Sequence, residues 1–355
     1  MKGLILSGGY GTRLRPLTYS QQKQLIPVAN KPVIYYAIED IIECGVKEIG
    51  IITGPNREQV IETVKAGDWG DVTFEFIHQE SPKGLSHTIL VAEEQGFLGD
   101  EPFVMYLGDN ILREGILRHY NEFVEKDQDC SIMLTEVPNP DQFGIADVDE
   151  NGRLTDLVEK PVDPPTNLAV IGIYFFKPII HEAVKNIEPS WRNQLEIVDA
   201  IKWLLDKGYD IGYRRVDGWW KDTGMPEDII HANRLILDDI ENDIKSHIPD
   251  DVRIEGRVKV GKNVQMKDST VKGPAVIGDN AVLKNTFIGP YTALGDSCEL
   301  ENTEIFESVI LEGCKIKNTS RIVESLIGKN VVIDENRSYP SGHKLVIGDQ
   351  SDLLL

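Results

Sequence analysis

The sequence predicts an α/β fold with a doubly wound, mostly parallel sheet, followed by a parallel β-helix. At the start of the chain, a short apolar strand leads into a glycine-rich turn. Strand and helix patterns then alternate to about residue 235, which is typical of parallel βαβ units. From about residue 250, aliphatic residues recur at six-residue intervals, which is typical of stacked β-helix coils.

The glycine-rich turn at the N-terminus is suited to phosphate. Gly8, Gly9 and Gly11 tolerate positive φ and let backbone N–H groups approach an anion closely. Arg13 adds a planar set of donors that suits phosphate oxygens. The turn therefore favours a nucleoside triphosphate, although a strand–glycine turn can also serve only to fold the chain tightly.

Two common nucleotide-binding motifs do not fit this turn. Residues 9–14 lack the third glycine of the dinucleotide fingerprint, and a helix pattern begins where its acidic second strand should lie. The P-loop pattern G-x-x-x-x-G-K-[ST] is absent from the sequence. A nicotinamide-dependent dehydrogenase is therefore disfavoured.

The composition suits a soluble globular protein of two domains, with 355 residues, 41% hydrophobic content and a formal net charge of −21. A general nucleic-acid binder would show the opposite charge balance, because affinity for a polyanion depends on clustered Lys and Arg. Basic residues in an anion site must be locally concentrated here, since the overall field repels anionic substrates.

The cysteines show no C-x-x-C spacing and no secretory context, so we expect reduced thiols in a cytoplasmic protein. They are Cys44, Cys130, Cys298 and Cys314. No apolar stretch reaches the roughly 18 residues of a membrane span, and a strand that starts at once leaves no signal peptide. We expect no membrane attachment.

Strands and helices alternate through the first two thirds of the chain. The apolar runs predicted as strands are Glu48–Thr53, Phe74–His78 and Phe103–Leu107. Helices are predicted from Pro32, after Ser86 and from Glu114. Ligands of doubly wound sheets collect at the carboxyl ends of the strands, which is where we expect the site.

The middle of the chain predicts an inserted hairpin. Its strands are Gly144–Val148 and Leu154–Val158, joined by a turn that contains Asn151-Gly152. We expect this ribbon to lie over the ligand cleft. The segment Met225–Asp243 then predicts a helix that links to the C-terminal region.

Aliphatic residues in the C-terminal third recur six apart, with single-residue slips between sets. Three such hexads form one triangular coil of a parallel β-helix, and stacked coils bury each other's faces. The aliphatic positions are Val271, Ile277, Leu283, Ile288, Leu294, Leu300, Ile310, Ile316, Ile322, Ile327 and Ile333.

A series of short motifs gives the chain a family resemblance. They are Gly8-Gly9-Tyr10-Gly11-Thr12-Arg13-Leu14, Lys23-Gln24-Leu25-Ile26-Pro27-Val28, Lys31-Pro32, Gln79-Glu80-Ser81-Pro82-Lys83-Gly84-Leu85, Gly108-Asp109-Asn110, Val158-Glu159-Lys160-Pro161 and Trp220-Lys221-Asp222-Thr223-Gly224. With these motifs in this order, the chain resembles the sugar-1-phosphate nucleotidyltransferases. It resembles above all the long-form glucose-1-phosphate thymidylyltransferases, which carry a C-terminal left-handed β-helix. The resemblance implies a Rossmann-like nucleotidyltransferase domain at residues 1–240 and a left-handed, hexapeptide-repeat β-helix at 241–355.

The resemblance implies an Mg²⁺-dependent reaction of dTTP with glucose 1-phosphate that gives dTDP-glucose and pyrophosphate. UTP stays open as the nucleotide, because one methyl group changes binding by only about 1–3 kcal/mol. A phosphate monoester is mostly dianionic near pH 7, since its second pKa is about 6. The attacking oxygen therefore needs orientation and positive charge rather than a general base.

The resemblance places the nucleotide at the glycine turn and two later loops. Arg13 and Lys23 would act in catalysis, clamping the triphosphate and stabilising the charge on the departing pyrophosphate. Gln24 and Gln79 would contact the pyrimidine edge, with solvated glutamines as the alternative. Gly84 would let the backbone approach the base, or be a plain turn glycine. The nucleotide-binding set is Gly8, Gly9, Gly11, Thr12, Arg13, Lys23, Gln24, Gln79, Gly84 and Asp109.

Two aspartates are the candidate metal ligands. Asp109 follows a buried strand and projects at its carboxyl end, whereas Asp222 comes from far along the chain. Two carboxylates that converge on phosphates would hold Mg²⁺, a hard ion that prefers oxygen ligands. The alternative for Asp222 is to cap the helix that follows it.

By the resemblance, Lys160 binds the phosphate of the sugar and Glu159 binds its hydroxyls. Adjacent strand residues point to opposite faces, so the two can share a site only if the strand twists or ends there. Pro161 makes an ending plausible. Gly144 and Tyr174 would line the same pocket.

Arg192 and Trp220 complete the expected sugar-phosphate site. Arg192 aligns with a phosphate-contacting arginine, but the family often has Gly-Glu where this chain has Asn193-Gln194. Trp220 is expected either against the sugar or in the core.

Two other functions stay open from the sequence. Left-handed coils in related bifunctional enzymes bind acyl-CoA, but here the repeat region has a single histidine, His343, as a candidate base. The other alternative is a non-catalytic assembly module, against which the intact Arg13, Lys23 and Asp109 argue. The flat faces of the coils lead us to expect a homo-oligomer.

Overall fold

The computed structural model describes residues 1–335, which fall into two compact units, Met1–Asp239 and a second that begins at Ile240. The strands of the first unit are β1 (Lys2–Ser7), β2 (Pro27–Val28), β3 (Lys31–Pro32), β4 (Glu48–Thr53), β5 (Thr73–His78), β6 (Phe103–Leu107), β7 (Asn110–Leu112), β8 (Cys130–Glu136), β9 (Gly144–Val148), β10 (Leu154–Glu159), β11 (Leu168–Phe176), β12 (Ile211–Arg215) and β13 (Trp220–Asp222). Its helices are α1 (Val33–Glu43), α2 (Arg57–Ala66), α3 (Leu85–Glu94), α4 (Leu117–Lys126), α5 (Ile180–Asn186), α6 (Ile197–Asp206) and α7 (Pro226–Asp238).

A nine-stranded sheet organises the first unit, in the order β10-β9-β11-β6-β1-β4-β5, with β8 paired to β11 and β12 paired to β8. Strands β6, β1, β4 and β5 are parallel, and β9 and β10 form the predicted hairpin. β11 runs antiparallel to β6 and β8. The predicted doubly wound fold is confirmed. The sequence does not reveal the direction of β11, because all nine of its residues are buried and show no alternation.

Helices cover both faces of this sheet. Side chains of α1, α2 and α4 pack with Ile5 of β1 in one core cluster, and those of α3, α5 and α6 pack with Leu4 and Leu6 in the other. Neighbouring residues of β1 thus enter opposite clusters, as expected for a strand buried on both faces. The chain leaves the carboxyl ends of β1 and β6 at Gly8 and Gly108, so both ends lead into the candidate site.

Local sequence signals locate most elements of the first unit. β4, β6 and β9 span the residues that the sequence predicts, and α1 begins directly after Pro32. α7 ends at Asp238 rather than at Asp243, and the next strand begins at Asp243. Among the helices of residues 1–335, none has the length and apolar character needed to span a membrane.

The second unit consists of short parallel strands stacked into three faces. They are β14 (Asp243–Ile244), β15 (Arg253–Glu255), β16 (Val258–Val260), β17 (Gln265–Lys267), β18 (Thr270–Lys272), β19 (Ala275–Ile277), β20 (Val282–Ile288), β21 (Thr292–Leu294), β22 (Glu299–Phe306), β23 (Val309–Ile310), β24 (Lys315–Lys317), β25 (Ile322–Val323), β26 (Leu326–Ile327) and β27 (Val332–Asp334). One face stacks β14, β16, β19, β21, β23 and β26. The long strands β20 and β22 contribute to both other faces. This arrangement is consistent with a left-handed β-helix.

Each coil advances the chain by 16 or 17 residues. Val282 pairs with Glu299, and Glu299 pairs with Lys315. The predicted aliphatic positions from Val271 to Ile316 are buried in one core, and the later ones pack against it. The predicted repeat is therefore confirmed through residue 335, and His343 lies outside the described residues.

Asparagines form the corners of several coils. Asn285, Asn302 and Asn318 have φ of 48°, 52° and 54°, a region that Asn tolerates better than most residues. Their amides stack, with Asn285 Nδ2 donating to Asn302 Oδ1 at 2.9 Å and Asn302 Nδ2 to Asn318 Oδ1 at 2.8 Å. The same residue type thus satisfies both the turn and the stacking between coils.

Candidate active site

The glycine turn lies at the carboxyl end of β1 and is held from behind by Gln22. Gln22 is buried, and its Nε2 donates to the carbonyl oxygens of Ser7 (2.8 Å) and Gly9 (2.9 Å). Gly11 has φ 59°, and a side chain there would come within 3.1 Å of Lys23 Cβ. The turn therefore needs glycine at this position and has a fixed shape, as a phosphate cradle requires.

Two cations and two carboxylates meet beside this turn. Lys23 Nζ donates to Asp109 Oδ2, and their side chains are only 17% and 10% exposed. Arg13 and Asp222 meet at Gly224, where an added Cβ would lie 3.0 Å from Arg13 Nη2 and 3.3 Å from both Asp222 carboxylate oxygens. The fold thus brings together four charged residues that span positions 13 to 222 of the chain.

A short two-stranded ribbon carries Asp222 to Asp109. β13 pairs with β7 so that Asp222 lies opposite Asn110. Thr223 donates from its backbone N–H (3.0 Å) and from its hydroxyl (2.8 Å) to the backbone carbonyl of Asp109. Asp228 Oδ2 accepts a hydrogen bond at 3.1 Å from the backbone N–H of Met225, the residue before α7. Asp228 thus caps this helix, so capping does not explain Asp222.

Burial and neighbouring charges together shift the pKa values of this cluster. Burial acts to lower the pKa of Lys23, but the charges of Asp109 and Asp222 outweigh it and raise that pKa. Burial acts to raise the pKa of Asp109, and the ion pair with Lys23 brings it below its usual value. Burial and then the charge of Asp109 raise the pKa of Asp222 to about 7. Lys23 therefore stabilises the ionised form of Asp109, whereas the ionised form of Asp222 is disfavoured.

Asp222 also has an oxygen without a partner. Its Oδ1 is buried and makes no hydrogen bond within residues 1–335, which is unusual for a buried polar atom. The same residues contain no group of three or more His, Cys, Asp or Glu side chains arranged to hold a metal. Mg²⁺ is commonly held by one or two carboxylates together with substrate phosphates and water. Asp109 and Asp222 therefore fit such an ion when a nucleotide is bound.

The two glutamines expected at the nucleotide base are buried rather than solvated, with Gln24 2% and Gln79 5% exposed. Gln79 follows β5, and its Oε1 lies 3.2 Å from the place of a Cβ on Gly8. Its Nε2 lies 2.8 Å from His87 Nδ1. Gln24 Oε1 accepts a hydrogen bond from Gln22 Nε2 at 2.9 Å. Both amides are thus held by hydrogen bonds in fixed orientations.

Gly84 joins the nucleotide side of the site to the expected sugar-phosphate loop. Its φ is 104°, and a Cβ there would lie 2.3 Å from the carbonyl oxygen of Leu195. Leu195 N–H donates to Lys83 O at 2.8 Å, and Leu195 O accepts from Ser86 N–H at 3.0 Å. A tight backbone contact between two loops, more than a simple turn, explains this glycine.

The strand ending that a shared Glu159–Lys160 site requires is present. β10 ends at Glu159, and Lys160 has φ 45°, an uncommon conformation for a residue with a side chain. This left-handed turn breaks the alternation of strand faces. Glu159 Oε2 lies 3.2 Å from the place of a Cβ on Gly144, so the glycine leaves room for the carboxylate.

Arg192 lies between two carboxylates. Its Nη1 is 3.4 Å from Glu159 Oε1 and 3.4 Å from Glu196 Oε1, and Ser190 Oγ donates to the same Glu196 oxygen at 2.9 Å. Burial and then the charge of Glu196 raise the pKa of Glu159 to about 7, against the opposing charges of Lys160 and Arg192. Two cations therefore flank the Glu159 carboxylate.

Tyr174 and Trp220 support the site from the core. Tyr174 is 3% exposed and stacks on Phe176 with ring centroids 5.8 Å apart. Trp220 Nε1 donates to Asn110 Oδ1 at 2.7 Å, and its ring contacts Phe143 edge-on at a centroid distance of 5.8 Å. Of the two expectations for Trp220, the structure favours core packing.

Comparison with known proteins gives the family. A family model for nucleotidyl transferases matches residues 2–239. The chain belongs to this family. It is 47% identical over 360 aligned residues to the low-salt glycan biosynthesis nucleotidyltransferase Agl11 of Haloferax volcanii, with full coverage of both chains. It is 42% identical over 352 residues to a glucose-1-phosphate thymidylyltransferase of Streptomyces antibioticus, covering 99% of this chain and 98% of the relative.

A solved structure agrees with the assignment to the nucleotidyl transferases. A UDP-glucose pyrophosphorylase in complex with UDP-glucose superposes with a TM-score of 0.60 at 28% identity, covering 67% of this chain and 98% of the other. Nucleotidyl transfer to a sugar 1-phosphate is thus the activity of this chain.

The nucleotidyl transferase site contains residues to which the sequence analysis assigned no role. Asn110 Nδ2 donates to Asp109 Oδ1 at 3.1 Å, and it stands beside Asp109 in a motif already noted. Gln22 precedes Lys23, and His87 lies in the first turn of α3. Nothing in the local sequence distinguishes Gln22 and His87 from solvated polar residues, because their partners are set by the fold.

Replacing Gly84 by Ala is expected to weaken both substrate sites of this nucleotidyl transferase. The left-handed backbone alone costs about 1–2 kcal/mol with a side chain, and the Cβ would push Leu195 away. We expect KM to rise severalfold for the nucleotide and for the sugar phosphate in initial-rate kinetics. Gly96→Ala is the matched control, since Gly96 has φ 80° but open space around it. Equal effects of the two variants on KM would contradict the prediction.

Proposed function

We propose that the chain transfers a thymidylyl group from dTTP to glucose 1-phosphate and releases pyrophosphate. The full-length similarity to the Streptomyces thymidylyltransferase supports this choice of substrates. The observation that carries the proposal is the cluster at the glycine turn. There Lys23 and Arg13 offer positive charge to phosphates, and Asp222 offers an unpartnered carboxylate oxygen.

The reaction proceeds by attack of a sugar-phosphate oxygen on the α-phosphorus of the nucleotide. That oxygen is already anionic near pH 7, so no general base is needed. Lys23 and Arg13 bind the triphosphate, and their attraction strengthens as negative charge builds on the departing pyrophosphate. The ion pair with Asp109 fixes Lys23 Nζ before the reaction, so little reorganisation is needed.

We propose Mg²⁺ as the metal, with Asp109 and Asp222 as its protein ligands. The ion, when bound, would neutralise phosphate charge as a Lewis acid. Support comes from the buried, unpartnered Oδ1 of Asp222 and from its position beside Asp109. Asn110 orients Asp109 through the bond from its Nδ2 to Asp109 Oδ1.

Glucose 1-phosphate is proposed to bind at the end of β10. Lys160 and Arg192 would bind its phosphate, and Glu159 would accept hydrogen bonds from its hydroxyls. Arg192 is already held by Glu159 and Glu196, each at 3.4 Å. The left-handed turn at Lys160 allows both its side chain and that of Glu159 to serve one ligand.

Replacing Lys160 by Met is expected to raise KM for glucose 1-phosphate roughly tenfold to hundredfold, the loss typical of a charge-assisted hydrogen bond. KM for dTTP should stay unchanged, because Lys160 is assigned no contact with the nucleotide. Lys202→Met is the matched control, since Lys202 pairs with Asp156 of β10, the strand that Lys160 follows. A similar rise in both variants would contradict the assignment of Lys160.

Pyrophosphate release from the purified chain tests the proposed function. The chain is incubated with Mg²⁺, glucose 1-phosphate and, in turn, dTTP, UTP, CTP and ATP. We expect the highest kcat/KM with dTTP and partial use of UTP. The superposition on a protein bound to UDP-glucose favours uridylyl transfer as the second candidate, and a higher kcat/KM with UTP would establish it. Release from none of the four nucleotides would refute both.

A further inference from the structure

The two buried amides at the nucleotide base are each fixed from behind by another side chain. Gln24 Oε1 accepts from Gln22 Nε2 at 2.9 Å, and Gln79 Nε2 lies 2.8 Å from His87 Nδ1. An amide nitrogen can only donate, so this contact requires His87 Nδ1 as the acceptor and the ring proton on Nε2. Gln22 is 3% exposed, and His87 is half-buried.

Each of these bonds determines which end of the amide is left for a ligand. A carboxamide has one accepting oxygen and one donating nitrogen. Because Gln24 engages its oxygen with Gln22, it presents its nitrogen, which is a donor. Because Gln79 engages its nitrogen with His87, it presents its oxygen, which is an acceptor and lies beside Gly8 of the glycine turn.

The Gln22 amide cannot easily reverse, and the surroundings of His87 favour a neutral ring. Gln22 Nε2 also lies within hydrogen-bond distance of the carbonyl oxygens of Ser7 and Gly9, so it shares its two hydrogens among three acceptors. A flipped Gln22 amide would place oxygen against oxygen at all three contacts. Burial, and then the charge of Lys83, lower the pKa of His87. A neutral ring that carries its proton on Nε2 leaves Nδ1 able to accept. The pattern of one donor and one acceptor is therefore built into the folded site.

We propose that Gln22 and His87 are positioning residues that make this site selective for a 2,4-dioxopyrimidine ring. This inference rests on the proposed function, since it takes Gln24 and Gln79 as the residues that contact the base. Thymine and uracil present a donor at N3 between two carbonyl acceptors, which complements the acceptor of Gln79 and the donor of Gln24. Cytosine presents an acceptor at N3 and an amino donor at C4. Its N3 acceptor would face the acceptor of Gln79, and its amino donor would face the donor of Gln24.

The rejection of cytosine follows from the cost of unpaired polar groups. A site built to bond a substrate group discriminates strongly against an analogue that cannot form the bond, because the buried partners are left unpaired. The methyl group of thymine contributes nothing to this pattern. The two positioning residues should therefore control selection against cytosine and leave the choice between dTTP and UTP unchanged.

The test uses UTP and CTP, whose bases differ only at N3 and at the substituent of C4. For the full chain with Mg²⁺ and glucose 1-phosphate, the ratio of kcat/KM for UTP to that for CTP is measured. His87→Leu removes the acceptor and frees the Gln79 amide, so this ratio should fall about threefold to tenfold, as for the loss of one hydrogen bond. Gln22→Met should lower it similarly by freeing Gln24. His87→Gln keeps an accepting oxygen and should restore most of the ratio.

Gln95→Leu is the matched control, since Gln95 lies just past the end of the same helix and donates to the backbone carbonyl of His78 at 3.0 Å rather than to either amide. It should leave the ratio unchanged. An equal loss of kcat/KM with UTP and CTP in both His87→Leu and Gln22→Met would overturn the inference, because a merely structural role predicts that result. If either variant fails to fold, the other decides. Normal turnover with an unchanged ratio refutes the inference alone, whereas an unmodified chain that releases no pyrophosphate refutes the proposed function.

Discussion

Replacing Asp222 by Asn is expected to remove most of the turnover while making the folded protein more stable. The Asp222 Oδ1 atom is buried without a partner, and the negative charge of Asp109 lies beside it. Asn has the same size and no charge, so it removes the cost of the buried charge and its repulsion by Asp109, and should add about 1 kcal/mol to the free energy of unfolding. We expect Tm to rise by roughly 2–4 °C and kcat to fall about 10²–10³-fold.

The prediction is specific because kcat should fall while Tm should rise. Pyrophosphate release gives kcat, and thermal unfolding without substrates gives Tm. Asp228→Asn is a control from the same region, because the Asp228 carboxylate has two partners, the Lys221 ammonium at 2.9 Å and a backbone N–H at 3.1 Å. That variant should lose stability and keep most of its turnover. An Asp222→Asn variant that loses both activity and stability would show that Asp222 is a structural residue.

A site arranged to bind a charged ligand predicts that Asp222→Asn loses activity and gains free energy of unfolding. The free protein holds Asp222 in a buried place where its ionised form is disfavoured, and a bound cation would offset that cost. Arg13 reaches Asp222 from an exposed position, where solvent screens its charge. It therefore neutralises Asp222 less completely than Lys23 neutralises Asp109.

The sequence predicts well what depends on neighbouring residues. Continuous apolar runs locate β4 and β6, and the six-residue spacing locates the inward positions of the coils, because burial imposes these patterns locally. The direction of β11 is not encoded in this way, since a strand buried on both faces has the same pattern in either direction.

Residues of the site can be predicted from the sequence only where the residue type itself indicates the chemistry. The glycine turn and the aspartate after β6 do so, but the role of Gln22 depends on three acceptors that only the folded chain brings to its amide. Gly84 gives a related case, because its need for glycine comes from the backbone of Leu195, more than 100 positions later in the chain. Contacts between distant segments leave no local signature in one sequence.

Replacing Lys23 by Met should lower kcat about 10²–10³-fold, as for Asp222→Asn, but with the opposite effect on stability. Removal of the ammonium leaves Asp109 buried without its partner, a change that costs about 3–5 kcal/mol in buried pairs. Asp109 is 10% exposed in the pair, so most of that cost should appear as a lower free energy of unfolding in denaturant titration. Lys47→Met, which breaks the exposed pair with Asp71, should leave stability nearly unchanged, because solvent screens an exposed ion pair.

The double variant Lys23→Met/Asp109→Asn separates the structural role of the pair from its catalytic role. With both charges removed, no uncompensated charge remains, and the double variant should regain most of the stability that Lys23→Met loses. It should regain no turnover, because Lys23 is assigned to the triphosphate and Asp109 to the metal. A Lys23→Met variant as stable as the unmodified chain would mean that Asp109 is not dependent on this ion pair. Recovery of kcat in the double variant would mean that Lys23 serves only to neutralise Asp109 and has no part in binding pyrophosphate.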